Sequence, residues 1–96
     1  MIVLYEFMAT WCGPCKGMTK VLDKVVPQYP EVTLYCIDVD EAVDIVDDYH
    51  ILNVPTLVLV KDGEETARKV GAVSEEELSK WLEGEIGKCE EEGKIE

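Results

Sequence analysis

The chain is poor in cations: nine Lys and Arg stand against 21 Asp and Glu in 96 residues, a net charge of −12. Such a surface repels polyanions, which excludes nucleic acid and anionic membranes as partners. Half of that excess lies in residues 74–96, where nine Glu and three Lys read as a solvated helix face followed by an acidic, solubilising tail. No apolar run approaches the length that crosses a bilayer, and the first ten residues carry neither a basic region nor a cleavage-site pattern. A soluble, cytoplasmic protein is expected. Histidine occurs once, at His50, where a helix end suits the capping of carbonyls better than chemistry. Cysteine is sparse too: Cys12, Cys15, Cys36 and Cys89, with a single pair close in sequence. That is not the pattern of a disulfide scaffold, and it fits a reducing compartment. Repeats, linkers and a second domain are all lacking, and 47% hydrophobic residues in so short a chain make one modest core.

What is present is Trp11-Cys12-Gly13-Pro14-Cys15, directly after an apolar strand-like run. Two cysteines at this spacing can close a small disulfide and reopen it. A permissive Gly and a Pro with fixed φ suit a tight turn into a helix whose first N–H groups have no intrahelical partner. Those N–H groups and the helix dipole favour negative charge at Cys12, the thiolate form that attacks disulfides. Cys15, one turn inside, is placed to resolve the mixed disulfide. The chemistry implied is thiol–disulfide exchange.

The remaining pattern gives the frame. Ile2–Phe7 reads as a central strand interrupted by Glu6, and a helix from Cys12 to about Val26 buries Met18, Val21, Leu22, Val25 and Val26 before Pro27 and Pro30 end it. Val32–Val39 is nearly continuous in apolar residues and suits a strand buried on both faces of a parallel pair, completing a right-handed βαβ unit. On this reading Cys36 is a small apolar filler. Asp40 is the expected N-cap of a second helix that ends near His50. Thr56–Val60 and Thr66–Val70 flank Asp62-Gly63, a hairpin signal, and Ser74 with Glu77 forms a capping box before a last helix with Leu78, Trp81, Leu82 and Ile86 inward. The expected fold class is α/β, a βαβαββα chain with a four-stranded mixed sheet and three helices over residues 1–86. An acidic, frayed tail over 87–96 would carry Cys89, an inert thiol.

The WCGPC motif, Val54-Pro55-Thr56 before an apolar strand, and Lys69-Val70-Gly71-Ala72 before a capped helix together resemble the thioredoxin family over about residues 2–86. The resemblance implies a cis Pro55 facing the dithiol and a short Val54 backbone edge that pairs with an incoming substrate strand. Trp11, Gly13, Pro14, Val54, Pro55, Gly71 and Ala72 would form a docking patch around Cys12. It further implies a monomeric protein-disulfide reductase with no bound cofactor or metal, whose redox-active Cys12–Cys15 disulfide is recycled by an external reductase. That reductase would be a flavin enzyme using NADPH, or a ferredoxin-linked one. The chain also departs from the family. It starts at the strand before the dithiol, the minimal architecture seen in glutaredoxins. Glu6 stands where a buried Asp usually assists Cys15, Cys36 where a Lys often faces that acid, and Lys20 where a kinking Pro is common.

Two other functions compete. A glutaredoxin-like protein reduced by glutathione fits the short architecture, but Gly-Pro between the cysteines and the lack of a basic pocket for glutathione carboxylates weigh against it. A noncatalytic subunit could use the Pro55 edge only to hold a partner. Zinc binding would need four ligands, and neither Cys36 nor Cys89 belongs to a second pair of suitable spacing.

Overall fold

A computed structural model describes the backbone of residues 1–95 and the side chains of residues 1–87. The elements are β1 (Ile2–Met8), α1 (Gly13–Val25), a 3₁₀ turn (Val26–Gln28), β2 (Val32–Asp38), α2 (Val43–Tyr49), β3 (Thr56–Lys61), β4 (Glu64–Val70) and α3 (Glu75–Ile95). Pro27 falls inside the 3₁₀ turn and stops α1 where the sequence places the stop. The last helix continues past Ile86, its expected end, to Ile95. The side chains of the expected frayed tail, Cys89 among them, lie outside the described residues.

The strand order is β2-β1-β3-β4, with β1 parallel to β2 and antiparallel to β3, and β3 antiparallel to β4. Asp62 and Gly63, at φ 51° and 87°, make the tight reversal between β3 and β4. Residues pointing to one face, Leu4, Leu57 and Leu59, pack under Met18, Leu22 and Val25 of α1 and Leu78, Leu82 and Ile86 of α3. The opposite face, Val3, Phe7, Val58 and Val60, packs under α2 through Ile45, Val46 and Tyr49. Period-two alternation on β1 sends Glu6 to the same side as Leu4, beneath α1.

Three local expectations are corrected. The strands buried on both faces are the central pair, β1 with Val3, Leu4, Glu6 and Phe7, and β3, whose residues Thr56–Val60 are all buried. β2 instead lies at the sheet edge, paired only with β1 and with Thr33, Tyr35 and Cys36 exposed, while Leu34 packs toward α1 and α3 and Ile37 toward α2. Cys36 is thus not buried filler. Asp40 does not cap α2; Ala42 occupies the N-cap without a side-chain hydrogen bond, and Asp40 is engaged elsewhere. His50 does close α2, but with its backbone: in the left-handed conformation (φ 52°) its N–H donates to the carbonyls of Asp47 and Val46. The capping box forms as expected, with the Glu77 N–H donating to Ser74 Oγ at 3.1 Å.

Candidate active site

The dithiol sits where β1 hands over to α1. The Cys12 N–H donates to Ala9 O at 3.1 Å, closing the turn through Thr10 and Trp11. Cys12 is the N-cap of α1 in an extended conformation, and its sulfur accepts the Cys15 N–H at 3.2 Å. Pro14 occupies the first turn, where its missing N–H costs no hydrogen bond, and no acidic residue stands there to compete for the helix N-terminus. The two sulfurs are joined as a disulfide across a Cα–Cα distance of 5.3 Å. Cys12 retains 5% exposure and Cys15 1%, so any attack from solvent meets Cys12 first.

The expected docking residues gather around this bond to different degrees. The Val54–Pro55 peptide is cis, and Val54 packs against the small cluster of Ala9, Cys12 and Cys15, with its carbonyl oxygen 3.8 Å from Cys12 Sγ. Gly71, at φ 95°, donates its N–H to Pro55 O at 2.8 Å, which ties the end of β4 to the cis-proline loop. Gly13, Pro14 and Trp11 are exposed beside the dithiol. Ala72 is exposed in the segment that follows Gly71.

Two residues to which the sequence assigned no part in the site also shape the surface. Asp40, expected to cap α2, accepts the Trp11 indole N–H at 2.8 Å through Oδ2 and so fixes the ring beside Cys12. Leu52 is 89% exposed and, with Trp11, Val39, Val46, Ile51 and Val54, lines an apolar groove of about 400 Å³. The exposed Leu of the 51–54 loop was a usable sequence signal for the groove, since the loop precedes Pro55. The Trp11–Asp40 pairing, 29 residues apart, had none.

Glu6 is fully buried, and both its oxygens are occupied: Thr19 Oγ1 donates to Oε2 at 2.8 Å and Cys36 Sγ donates to Oε1 at 3.1 Å. The same Thr19 hydroxyl lies 3.0 Å from Cys15 O, so the carboxylate reaches the dithiol turn through Thr19. Thr19 follows Cys15 by four residues, the spacing that puts two side chains on one helix face, and that was its overlooked signal. Although Cys36 belongs to an exposed edge, its sulfur turns inward to Glu6. Desolvation and then the Glu6 hydrogen bond and charge push its thiol up to about 12, with Asp23 adding to the effect.

A raised thiol value has two consequences. It contributes stability that is complete below the unfolded value of 9.0 and is lost as pH rises toward about 12. Scarcity of thiolate also protects Cys36 from alkylation: with Cys12–Cys15 oxidised, iodoacetamide at pH 8 should modify Cys36 at least about tenfold more slowly than a free peptide thiol. Glu6→Gln should speed that reaction. An unprotected Cys36, mapped by peptide mass, would contradict the Glu6 contact.

Among the described residues no group of three or more His, Cys, Asp or Glu is placed to hold a metal ion. A disulfide-forming pair at a helix N-terminus, faced by a cis-proline loop and flanked by an apolar groove, defines a thiol–disulfide oxidoreductase. The thioredoxin family profile matches residues 1–84, and the chain belongs to that family. It is 40% identical over 81 residues to a thioredoxin of Chlamydia trachomatis, covering 84% of this chain and 79% of that one. Thioredoxin-1 of Saccharomyces cerevisiae is 44% identical over 71 residues, 74% of this chain and 69% of the yeast protein. Among solved structures, a mutant thioredoxin from Halobacterium salinarum superposes with a TM-score of 0.80 at 37% identity, over 86% of this chain and 73% of that one. Oxidised mitochondrial thioredoxin 3 of Saccharomyces cerevisiae gives 0.76 at 38% identity, over 91% and 77%. The protein is a dithiol–disulfide oxidoreductase of the thioredoxin type, and its family works with reductases and disulfide substrates.

Proposed function

We infer that this protein reduces disulfides of cytoplasmic proteins, with Cys12 as the attacking thiol, Cys15 as the resolving thiol and Glu6 as the group that takes the Cys15 proton. The observation that carries this reading is the Cys12 sulfur at the N-cap of α1, accepting the Cys15 N–H at 3.2 Å. In the reduced protein the same N–H and the helix end stabilise a thiolate at Cys12 and leave Cys15 protonated. The Cys12 thiolate attacks one sulfur of a substrate disulfide, and the other sulfur leaves with its electron pair. Cys15 then displaces the second sulfur from Cys12, forming the Cys12–Cys15 bond, so the substrate gains the two electrons that the dithiol loses.

The substrate segment lies along Val54 and Pro55 with side chains in the groove of Trp11 and Leu52, where apolar contact supplies affinity and the Val54 backbone supplies register. Four cysteines with a single pair close in sequence fit a reducing compartment. A flavin reductase using NADPH, or a ferredoxin-linked one, returns the electrons. The recycling step is tested by offering the oxidised protein NADPH with a flavin thioredoxin reductase, or NADPH with glutathione and glutathione reductase, and reading insulin reduction. The first system should support turnover at least about tenfold faster, and the reverse order would make the protein a glutathione-linked enzyme instead.

A further inference from the structure

Glu6 is the one carboxylate that the structure buries completely among the described residues, and none of the ion pairs there includes it. A buried ionised group without a cation depends on hydrogen bonds for its stabilisation. Both partners it has are neutral donors: Thr19 Oγ1 at 2.8 Å and Cys36 Sγ at 3.1 Å. They differ in one respect. Within this network Cys36 only donates, to Oε1. Thr19 stands between two acceptors, Glu6 Oε2 and, at 3.0 Å, Cys15 O.

A hydroxyl has one proton to give and two lone pairs to accept with. With Glu6 ionised, Thr19 donates to Oε2. With Glu6 protonated, the carboxyl donates to Thr19 Oγ1, and Thr19 rotates its own proton to Cys15 O. No heavy atom moves between the two arrangements, and the carboxyl stays hydrogen-bonded in each. An ammonium group at this place could only donate and would hold the ionised form alone. Thr19 is also half-buried and lines, with Cys15, Lys16 and Lys20, a second open groove of about 490 Å³.

We propose that Thr19 is a positioning residue for the resolving half of the reaction, its hydroxyl keeping the Glu6 carboxyl in place through both of its proton states. The proposal rests on the assignment of Glu6 as the acceptor of the Cys15 proton. In the mixed disulfide, Cys15 S–H gives its proton to Glu6, and its sulfur pair forms the bond to Cys12 Sγ. The bond from Cys12 to the substrate sulfur breaks, and its pair leaves on the substrate thiolate, which takes up a proton from Glu6 or solvent. Thr19 touches none of the reacting sulfurs. It holds the carboxyl against rotation while the proton arrives and departs, and it links that carboxyl to the backbone of the turn that carries Cys15. The ionisable neighbours of Glu6 are Cys36 on β2 and, through Thr19, Cys15 on α1, with Asp23 acting on Cys36; β3 presents apolar Leu57 at the paired position.

The test separates the two halves of the reaction by rapid mixing of the reduced protein with a peptide disulfide, reading formation of the mixed disulfide and release of the second thiol. Thr19→Val keeps the shape and removes the hydroxyl. It should slow release about tenfold, a fraction of the 10²–10⁴-fold that a positioned general base supplies, and leave the first attack unchanged. Thr19→Ser should restore release. Thr19→Ala, which favours the helix, serves as a second hydroxyl-free variant if valine folds poorly. In a Glu6→Gln background, Thr19→Val should cause no further loss, because the two act as one unit. Release slowed by Glu6→Gln but unaffected by Thr19→Val or Thr19→Ala would overturn the role of Thr19 and leave that of Glu6 standing. Losses that multiply in the double variant would do the same. Unchanged release in Glu6→Gln would overturn the assignment of Glu6 itself, and the proposal with it.

Discussion

Cys12→Ser should abolish disulfide reduction, lowering the rate by at least about a thousandfold to the background of the added reductant, as loss of a nucleophile does elsewhere. A serine hydroxyl at the N-cap still accepts the Cys15 N–H, so α1 keeps its cap and the fold survives. What disappears is the nucleophilic sulfur that can bond to sulfur. Cys15→Ser should behave differently: its Cys12 thiolate still attacks, but nothing displaces the substrate, and a mixed disulfide accumulates. Non-reducing gels and intact mass after mixing with an oxidised protein substrate distinguish the two. A stable adduct on Cys15 of the Cys12→Ser protein, formed as fast as on wild type, would reverse the assignment of attacking and resolving thiols. The order follows from position on the helix, since Cys12 lies at its start and Cys15 one turn inside at 1% exposure.

The largest loss of stability is expected from Phe7→Ala. Phe7 is fully buried between the sheet and α2 and holds ring contacts to Tyr5 and Tyr49 at centroid distances of 6.1 and 6.0 Å. None of the residues of α2 is itself buried; the helix is held by half-buried Ile45, Val46 and Tyr49 against the cluster built on Phe7. Removing the ring leaves a cavity beneath a seven-residue helix that has no capping side chain, so the cost should be about 3–5 kcal/mol. In a domain of this size that lowers the melting temperature by about 15 °C or more. Leu52→Ala is the control: at 89% exposure it should change stability by no more than about 0.5 kcal/mol while weakening substrate binding in the groove. Denaturant unfolding of both variants with the disulfide closed checks the pair, and a Phe7→Ala loss below about 1 kcal/mol would place the weight of that face elsewhere.

The location of the function was legible in five consecutive residues because its determinants are local. Gly13 and Pro14 shape the turn, and a cysteine at an N-cap meets N–H groups that every helix leaves free. The same locality explains the Asp62-Gly63 reversal and the Ser74–Glu77 cap, which the structure reproduces. α2 was misread at its start because a single Asp before a helix is a weak signal when another acceptor competes for it. Here the Trp11 indole takes Asp40, and Asp38 Oδ1 accepts the Asp40 N–H at 2.9 Å.

By itself, then, the sequence determined the order of elements, the dithiol and its place at the start of α1, the hairpin and the apolar faces, all of which depend on contacts within a few residues. Which apolar run would be buried on both faces lay beyond it. VTLYCID and TLVLV read alike as apolar runs, yet β3 became the fully buried strand and β2 the edge, because which strand takes the middle is settled by the whole set of pairings. The surroundings of Glu6 were equally out of reach, since Thr19 and Cys36 lie 13 and 30 residues away and meet the carboxylate only when α1 is laid across β1 and β2. Side-chain alternation puts Glu6 and Leu4 on one face; only packing against α1 and β2 brings Glu6 to Thr19, one turn beyond Cys15.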